Sequence, residues 1–556
     1  MLYFACGKCS IHLQRGKIKK TRIRPPPRTK MSDRLQKYIA IIFGIATLTM
    51  VVWTQREAIQ VLAKPETPIK QSNDLDQRME QLLARGEVLA RQHCATCHTL
   101  PMPEMLDHDA WDVTLTRMLP WVGLVPPDTG LTNTNGFERV LATGLYPPKP
   151  LMSDQDWDLI RNYYLIKAPH DLQQPKGVEF IGSQNTFASV IPDTPFDASC
   201  IAVRVEPETG DVWATHDPTK TVYRMTPELN WQNPPLKLGG SPVEMRFTSG
   251  GMVGALIGSF MPSFERTGAL VRWNEGNLET IAATLHRPTD VLPVDLNGDG
   301  REDLVVCEYG HFTGRVFWLE NKGDTFKHHT LLEMPGCLNA ASADFNGDQR
   351  PDLVILTGQA REAVYLLLNL GDNQFTPRML LARQPMWGHS HIEVADFNND
   401  KHPDLLITNG DNGELDPALS RPYHGLRVHL NDGENNFTKE LFFSQPGAYK
   451  ALARDFDQDG DLDIASIAYF ADYKLNPKAG FIYLRQDKSL QFSAHTLPEA
   501  DRGRWITLDA GDYDRDQDID LVLGAYNTPQ RQIPNALKKR WSEKPTAILI
   551  LKNLTK

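Results

Sequence analysis

A nine-residue acidic pattern recurs five times in the second half of the chain and constrains the fold more than any other feature. An Asp is followed by Asn or Asp two positions on, by Asp two further, and by Asp four beyond that, as in DLNGDGRED. Successive copies begin 49, 52, 59 and 57 residues apart, and apolar runs such as LVVCEY follow them. Self-similarity at this period in a strand-rich sequence predicts the blades of a β-propeller. The repeated positions are Asp295, Asn297, Asp299 and Asp303; Asp344, Asn346, Asp348 and Asp352; Asp396, Asn398, Asp400 and Asp404; Asp455, Asp457, Asp459 and Asp463; and Asp512, Asp514, Asp516 and Asp520.

The spacing of these oxygens also predicts cation binding. Oxygens at positions 1, 3 and 5 point inward when such a loop curls around a hard cation, and the carboxylate at position 9 closes the shell. One copy alone is typical of a solvated acidic turn, but five in register predict up to five Ca²⁺ ions. Position 6 is glycine only at Gly300 and Gly460, which argues against full calcium affinity in the other copies. Those copies carry Gln349, Lys401 and Gln517 there.

Each repeat continues with a strand, a tight turn and a second strand, as in GRVFWLENKGDTF. Two degenerate blades precede the five clear ones. One combines PVEMRFTSGGMVGALIGSF with GALVRWNEGNLETI, and the other is CIAVRVEPETGDVWATHDPTKTVYRM. Five clear and two degenerate blades predict a seven-bladed propeller over residues 170–556. The strand AILILKN should complete the last blade together with an N-terminal strand near Val178 to Phe187, which closes the ring. The loops resemble the FG-GAP/VCBS repeats of integrin-type β-propellers over Asp290 to Lys556, which implies a calcium-binding propeller.

A second motif, ARQHCATCHTL, places two cysteines and a histidine within five positions. Three interpretations of the motif are possible: a metal site, a thiol redox pair or a covalently attached haem. A zinc site would need a second pair of ligands at similar spacing. A thiol redox pair would need a strand before the motif. Two thiols at this spacing suit thioethers to haem, with the next residue an imidazole ligand of the iron. The motif therefore predicts one haem c on Cys94 and Cys97, with His98 as an axial ligand.

The segment around this motif, residues 75–169, resembles small single-haem c-type cytochromes. ARGEVLARQHCATCH is similar to the first helix of that family, with Gly86 eight residues before the first cysteine. SDQDWDLIRNYYLIKAP is similar to its last helix, with Ser153 as N-cap. The resemblance implies a small all-α domain in which Gly86 lets the last helix, with Tyr163 or Tyr164, cross closely. The apolar face predicted for the first helix comprises Leu75, Met79, Leu82, Leu83 and Leu89.

The resemblance also implies a sixth iron ligand, usually methionine, between these helices. Met118 ends the short helical stretch AWDVTLTRML and is the first choice, with Met152, just before the last helix, as the alternative. Met102 and Met105 lie so near His98 that they would need a tight loop to reach the other haem face. A methionine ligand favours a pure electron carrier, whereas an open site would permit small-ligand chemistry.

The N-terminal part predicts export. Residues 1–37 carry eleven Lys and Arg against one acid, and YIAIIFGIATLTMVVW (residues 38–53) follows without a charge. This pattern is typical of a membrane anchor, which we favour, or of a cleaved signal, with residues 54–74 as linker. Met31 also fits as the true start. The chain is thus expected at a bacterial inner membrane facing the periplasm, or periplasmic or secreted after cleavage. The rest of the chain has 48 basic and 68 acidic residues, which argues against nucleic-acid binding.

The first residues of each inner strand should lie on the propeller face opposite the acidic loops. Function concentrates on such loops, so this face is a candidate site for a sugar or an anionic ligand, although packing inside the propeller would explain the same residues. The candidate residues are His311, Trp387, His389, His391, His424, Tyr449, Lys450 and Arg504.

Three functions follow from this multidomain fold, a small all-α cytochrome c domain followed by an all-β propeller. The first is electron transfer through the haem, with the propeller as a docking platform for an unidentified redox partner. The second is a haem-coupled dehydrogenase that oxidises a small substrate, such as a sugar, on the propeller face. The third is a carbohydrate-binding or adhesion module with a haem sensor. The sequence favours the first.

Overall fold

Seven four-stranded antiparallel sheets follow one another along the chain in the computed structural model. The structure describes residues 70–125, 137–173, 177–182, 185–260, 263–310, 312–359, 361–413, 421–528 and 532–555. Residues 83–556 belong to one compact unit, which contains a helical region and all seven sheets. The first part of helix α1 (Lys70–His93), up to Leu82, belongs to a second unit.

The helical region follows α1 with three more helices and three short 3-10 turns. Asp107 caps α2 by accepting a hydrogen bond from the amide of Ala110 at 2.8 Å. Ser153 caps α4 as predicted, since its Oγ accepts from the Asp156 amide at 3.1 Å and donates to the Asp156 carboxylate at 2.8 Å. The helices are α2 (His108–Met118), α3 (Phe137–Ala142) and α4 (Asp154–Lys167), and the turns span Cys94–Thr96, Pro103–Met105 and Leu119–Val122.

Each of blades 1 to 6 is a meander of four consecutive strands. Blade 1 contains β2 (Cys200–Val205), β3 (Val212–His216), β4 (Thr221–Met225) and β5 (Leu236–Lys237); blade 2 contains β6 (Pro242–Thr248), β7 (Gly251–Leu256), β8 (Gly268–Asn274) and β9 (Asn277–Leu285). Blade 3 contains β10 (Pro288–Val294), β11 (Asp303–Glu308), β12 (Arg315–Asn321) and β13 (Phe326–Leu332); blade 4 contains β14 (Cys337–Ala343), β15 (Asp352–Thr357), β16 (Ala363–Gly371) and β17 (Gln374–Ala382). Blade 5 contains β18 (His389–Ala395), β19 (Asp404–Asn409), β20 (Gly425–Leu430) and β21 (Lys439–Ser444); blade 6 contains β22 (Ala448–Arg454), β23 (Asp463–Ala468), β24 (Phe481–Lys488) and β25 (Gln491–His495).

Blade 7 joins the two ends of the propeller. Its first three strands are β26 (Trp505–Gly511), β27 (Asp520–Ala525) and β28 (Ile548–Asn553), and its outer strand is β1 (Phe187–Val190), which pairs antiparallel with β28. The closing strand thus comes from the N-terminal side, as predicted, but later than the predicted segment. Val178 and Phe180 instead pack beside blade 6, where the amide of Ile181 donates to the carbonyl of Ala494 at 2.9 Å. Helix α5 (Asn535–Glu543) lies between β27 and β28, and a 3-10 turn spans Pro477–Gly480.

The second strand of each blade carries the core. Every residue of β11, β15, β19, β23 and β27 is buried, because both faces of these strands pack against neighbouring blades. Trp318 of blade 3 and Ile355 of blade 4, for example, share one cluster. This explains why the apolar runs after the acidic loops are continuous rather than alternating.

The acidic loops all connect the first strand of a blade to its second. Because the strands of each meander are antiparallel, the loops from second to third strand, and from one blade to the next, lie on the other face. The inner strands therefore begin on the face opposite the acidic loops, as predicted. Among the described residues no helix is long and apolar enough to cross a membrane, and residues 38–53 lie outside them.

Candidate functional site

The CxxCH motif lies directly at the end of helix α1. Cys94 begins a 3-10 turn that continues the helix, and its half-buried side chain packs against the core of the helical region. Cys97 is exposed. Burial, and then the proximity of Cys97, raises the pKa of Cys94 to about 11, so its thiol is protonated at neutral pH. This disfavours thiolate chemistry, on which zinc binding and disulfide exchange both depend.

His98 is oriented by its own neighbour in sequence. Nδ1 of the imidazole lies 2.9 Å from the carbonyl oxygen of Thr99. A carbonyl only accepts, so Nδ1 carries the proton and Nε2 keeps its lone pair. Burial lowers the pKa of His98, which favours this neutral form. An imidazole held by Nδ1 with Nε2 available is the arrangement that metal-binding histidines use.

Helices α1 and α4 cross in close contact at Gly86. A Cβ at this position would collide with the carbonyl oxygen of Leu159 and lie 2.9 Å from Cβ of Tyr163. Only glycine therefore allows the approach. Next to the crossing, the ring of Tyr164 packs 4.3 Å from that of Trp111, and its hydroxyl donates to the carbonyl of Pro101 at 3.0 Å. The predicted role of Gly86 in the helix crossing is confirmed, and the partner directly over it is Tyr163.

Both candidate methionines pack in the same cluster as Cys94. Met152 is buried there and Met118 is half-buried. The cluster is formed by Trp111, Ile160 and Tyr164 together with other residues of the helical region. One of its members, Met386, comes from the propeller, between β17 and β18. Sequence reasoning missed Met386, because no local pattern marks a loop residue that packs against a distant domain.

The helical region contacts the propeller face opposite the acidic loops. The hydroxyl of Tyr423 donates to the carbonyl of Met105 at 3.1 Å, and the amide of Met102 donates to Gln384 Oε1 at 3.4 Å. Nε of Arg361 donates to the carbonyl of Cys97 at 3.3 Å. These contacts place the CxxCH motif beside the loops of blades 4 and 5.

Three of the eight residues predicted for a ligand on this face are enclosed. His389 is buried, with Nδ1 3.1 Å from the carbonyl of Thr357, and burial lowers its pKa to about 3. His424 is fully buried, and burial holds its pKa well below the usual range. Arg504 is also fully buried, 3.8 Å from the ring centroid of Tyr469. These side chains pack the propeller, which is the alternative explanation given above.

The other described residues predicted for this face are half-buried. Trp387 stacks on Tyr423, with ring centroids 5.0 Å apart and an interplanar angle of 10°, and Arg427 lies 4.7 Å from the Trp387 centroid. Tyr449 is half-buried, with its ring 5.8 Å from that of Tyr469. His391 and Lys450 lie on inner strands β18 and β22, and His311 lies outside the described residues.

The five acidic loops have one shared geometry. The first Asp accepts backbone amides from positions 5 and 6, as where Asp455 accepts from Asp459 and Gly460 at 3.0 Å each. The last Asp is fully buried, and in four copies it accepts from two amides, one in the loop and one at the end of the third strand; for Asp352 these are Phe345 at 2.9 Å and Asn369 at 2.7 Å. Asp463 instead accepts from the hydroxyl of Tyr483 at 2.6 Å and from the amide of Gln486 at 2.8 Å. Position 6 has positive φ in every copy, whether it is glycine or not. The five residues there are Gly300, Gln349, Lys401, Gly460 and Gln517.

Two of the loops bring three carboxylates together. An oxygen from each of Asp455, Asp457 and Asp459 lies within 4.8 Å of the others, and the same holds for Asp512, Asp514 and Asp520. The remaining three copies have Asn at position 3, whose amide donates to the Asp at position 5, as from Asn346 to Asp348 at 2.9 Å. Basic side chains lie against some loops, as Lys552 does 3.1 Å from Asp516. The loops that begin at Asp455 and Asp512 therefore bring the most carboxylates together.

Comparison with known proteins matches this architecture. The FG-GAP-like repeat family matches residues 295–355, 344–407 and 455–523. The chain is thus a seven-bladed β-propeller protein that contains FG-GAP-like repeats.

Among curated proteins, the T-cell immunomodulatory protein of Mus musculus is 25% identical over 240 residues, which are 41% of this chain and 34% of that protein. The Homo sapiens protein of the same name is 24% identical over 185 residues, covering 32% of this chain and 28% of the relative. The chain spans about a third of the length of these curated relatives.

Among solved structures, virginiamycin B lyase from Staphylococcus aureus aligns with a TM-score of 0.43 at 10% identity, over 66% of this chain and 99% of the lyase. A streptogramin B lyase structure aligns with a TM-score of 0.41 at 12% identity, over 66% of this chain and 98% of that one. Likenesses at this level do not extend to activity or ligands.

Proposed function

We propose that this protein transfers electrons through one haem c attached to Cys94 and Cys97, with His98 as an axial ligand and the propeller as the platform that docks a redox partner. The observation that carries the proposal is the state of His98 at the end of helix α1. Its Nδ1 is bound to the Thr99 carbonyl at 2.9 Å, and Nε2 keeps its lone pair one residue after the second thiol.

The residues present fit a haem. Cys94 borders an apolar cluster that contains both candidate sixth ligands, Met118 and Met152. The close crossing at Gly86 holds the helix that carries the thiols against α4. When bound, a haem supplies one-electron chemistry at a potential set by its axial ligands and by the polarity around it.

The propeller supports the docking part of the proposal. Tyr423, Gln384 and Arg361 tie it to the helical region close to the CxxCH motif. A partner bound at the propeller rim would therefore lie near the exposed Cys97 side of the motif. The enclosure of His389, His424 and Arg504 favours this function over substrate oxidation or carbohydrate binding on the same face.

The five acidic loops, in this proposal, hold Ca²⁺ ions that stiffen the propeller. Oxygen ligands at alternate positions of a tight loop suit this cation. The two loops with three converging carboxylates, beginning at Asp455 and Asp512, are the strongest of the five. The segment of residues 38–53 tethers the protein to the membrane or directs its export, so that both thiols meet the exported haem.

The haem is tested by expressing the protein with a c-type cytochrome maturation system. Covalent haem is read by peroxidase staining after denaturing electrophoresis and by the visible spectrum. The wild type should stain, whereas the double variant Cys94→Ala/Cys97→Ala should not, and Cys337→Ala should stain like the wild type. A wild-type protein without covalent haem, or a double variant that retains it, would refute the proposal.

The electron-transfer function is tested separately on the haem-loaded protein. Small sugars and alcohols should leave the oxidised haem unreduced, whereas artificial one-electron donors should reduce it rapidly. Reduction of the haem by a sugar or an alcohol would instead establish the dehydrogenase. Met118→Ala and Met152→Ala distinguish the sixth ligand, since loss of a methionine ligand lowers the reduction potential and loss of a packing residue does not.

A further inference from the structure

Helix α5, which lies between the second and third strands of blade 7, is strongly basic. Four of the ten residues from Asn535 to Lys544 are Lys or Arg and one is acidic, in a chain whose formal net charge is −10. Leu537 and Trp541, one turn apart, are buried, and the ring of Trp541 lies 5.5 Å from that of Tyr473 in blade 6. The apolar side of the helix is thus covered by the propeller, and its charged side faces solvent.

Two neighbouring connections extend this basic surface. Residues 469–480 join the second and third strands of blade 6, and residues 496–504 join blade 6 to blade 7. Apart from the fully buried Arg504, the described parts of these connections and of residues 526–547 carry seven basic and four acidic residues. We call the seven basic residues the α5 patch. They are Lys474, Lys478, Arg502, Lys538, Lys539, Arg540 and Lys544.

The acids beside the α5 patch are already engaged. The buried carboxylate of Asp501 pairs with Lys478 and with Arg540, at 2.9 Å each. Glu543 lies 3.7 Å from Lys539, one helical turn away. The other two acids accept hydrogen bonds from backbone amides and from a serine hydroxyl. Four cations of the patch therefore have no side-chain partner within the part of the chain that the structure describes, and these are Lys474, Arg502, Lys538 and Lys544.

Two of these four cations line one cleft. The cleft has a volume of about 330 Å³ and lies between the C-terminal end of α5 and the turn before β26. Because both of its acids are paired with other side chains, it presents the guanidinium of Arg502 and the ammonium of Lys544 to a ligand. A single carboxylate side chain suits such a place. The lining residues are Pro498, Asp501, Arg502, Arg540, Glu543 and Lys544.

The α5 patch and the CxxCH motif lie on the same face of the propeller. The connections that carry the patch belong to blades 6 and 7 and lie opposite the acidic loops. On this face the helical region contacts blades 4 and 5, through Arg361 and Tyr423. Blade 6 follows blade 5 around the ring, so a partner seated on the patch lies beside the helical region that carries the motif.

The surface suits an acidic protein better than a membrane. A helix that binds a bilayer needs an exposed apolar side, whereas Leu537 and Trp541 are buried against blade 6. The concave cleft can take a protruding side chain, which a flat bilayer does not offer. Leu475, 71% exposed beside Lys474, adds one apolar contact to the charged surface.

We propose that the α5 patch docks an acidic redox partner, one carboxylate of which binds between Arg502 and Lys544. That the partner is a redox protein rests on the electron transfer proposed above, whereas its acidic chemistry rests on the patch alone. Opposite charges steer the two proteins together and orient them, and this attraction weakens as ionic strength rises.

The docking surface is tested with a fluorescently labelled deca-glutamate peptide, whose binding to the full-length protein is measured by fluorescence anisotropy at low ionic strength. Arg502→Gln/Lys544→Gln should weaken binding about threefold or more, because two charged contacts are lost. Lys327→Gln/Lys439→Gln removes the same charge from exposed lysines on β13 and β21 and should bind like the wild type. A wild type that does not bind the peptide, or equal binding by the patch variant, would overturn the surface.

Hydrogen exchange followed by mass spectrometry locates the bound peptide and tests the membrane as an alternative. The peptide should slow the exchange of residues 535–544. Vesicles of phosphatidylglycerol should slow it no more than vesicles of phosphatidylcholine. Protection of these residues by phosphatidylglycerol alone would assign the patch to a membrane and overturn the proposal.

The redox role is measured on the haem-loaded protein. Bound peptide should slow the oxidation of the reduced haem by ferricyanide in the wild type, because it adds negative charge beside the haem, and an unchanged rate would contradict the redox role. Peptide binding by a protein that carries no haem would refute electron transfer and leave the docking surface in place. A haem-loaded protein that does not bind the peptide would overturn the docking surface alone.

Discussion

The phenol of Tyr423, between the second and third strands of blade 5, donates a hydrogen bond of 3.1 Å to the main-chain carbonyl of Met105 in the helical region. This contact joins the two parts of the molecule beside the CxxCH motif. Trp387 supports it from below by stacking on the phenol ring.

Tyr423→Phe removes that hydrogen bond and keeps the stacked ring. The cost should be about 1 kcal/mol of unfolding free energy, the usual net value of one such bond. This loss should lower the urea concentration at which the helical region unfolds, measured by the fluorescence of Trp111 and the neighbouring tryptophans. Tyr423→Ala, which also removes the stack, should cost more. Equal losses in the two variants would show that the stacked ring contributes nothing, and an unchanged midpoint in Tyr423→Phe would show that the hydroxyl contributes nothing to docking.

Gly86→Val should disrupt the crossing of α1 and α4. The new Cβ meets the main-chain oxygen of Leu159, which cannot move without shifting α4, so we expect a loss of about 1–3 kcal/mol or more. Ala84→Val, on the exposed side of the same helix, should cost only about 0.5 kcal/mol through helix propensity. Urea denaturation measures both, and a similar loss in the two variants would rule out the steric explanation.

Position 6 of the acidic loops should respond oppositely to glycine and alanine. Gly300 has a φ of +80° and Gln349, at the equivalent place, +65°. Gly300→Ala should therefore destabilise by about 1 kcal/mol, and Gln349→Gly should stabilise or be neutral, because a side chain is strained in this region. Thermal denaturation in excess chelator isolates the backbone effect from any ion, and a destabilising Gln349→Gly would contradict this account.

Asp457→Asn should weaken the response to calcium while stabilising the calcium-free protein. Burial and the neighbouring Asp459 and Asp455 raise the pKa of Asp457, so its charge is costly without a cation. We expect the melting temperature to rise less with added Ca²⁺ and to start higher in chelator. Asn346→Asp, the converse change in blade 4, should do the opposite. A melting temperature unaffected by chelator in the wild type would refute calcium binding.

The lowered pKa of Lys450 should make the folded protein more stable as the pH rises above about 8. Its pKa in the folded protein, about 8, lies below its ordinary value of 10.5, so between these values the unfolded chain holds the proton that the folded chain has lost. Stability then increases with pH through that window. Comparing urea midpoints at about pH 8 and pH 10 for wild type and Lys450→Met isolates this contribution, which the variant should lack. Burial is the main cause of this lowered pKa; Arg204 and Arg246 add to it, whereas Glu244 and Asp509 act against it.

The sequence predicted the repeating parts of this protein well. The crossing at Gly86 was implied by the resemblance to c-type cytochromes. Seven blades, the acidic loops between first and second strands and the N-cap at Ser153 all follow from local patterns. Each depends on residues within one turn or one strand pair, where spacing and residue type largely fix the backbone. The haem on Cys94 and Cys97 and the calcium in the loops stay predictions of the same local kind.

Contacts between distant segments were decided only by the tertiary structure. The closing strand is Phe187–Val190 because β28 has an open edge there, while Val178 and Phe180 pack on blade 6. His389, His424 and Arg504 look chemical in sequence but are enclosed by neighbouring blades. Met386 enters the core of the helical region from a loop more than two hundred residues away.

What the sequence by itself determined is thus the repeat, its loops and the motif that would carry a haem, since these are properties of short segments. What only the tertiary structure decided is which side chains meet across the channel and between the helical region and the propeller. Asn339 and Ile392 are 53 positions apart and carry no shared motif, yet the packing of neighbouring blades joins them by two hydrogen bonds of 3.1 Å. The physical reason is that burial and charge pairing depend on the packing of whole blades around one axis, which no short stretch of sequence encodes.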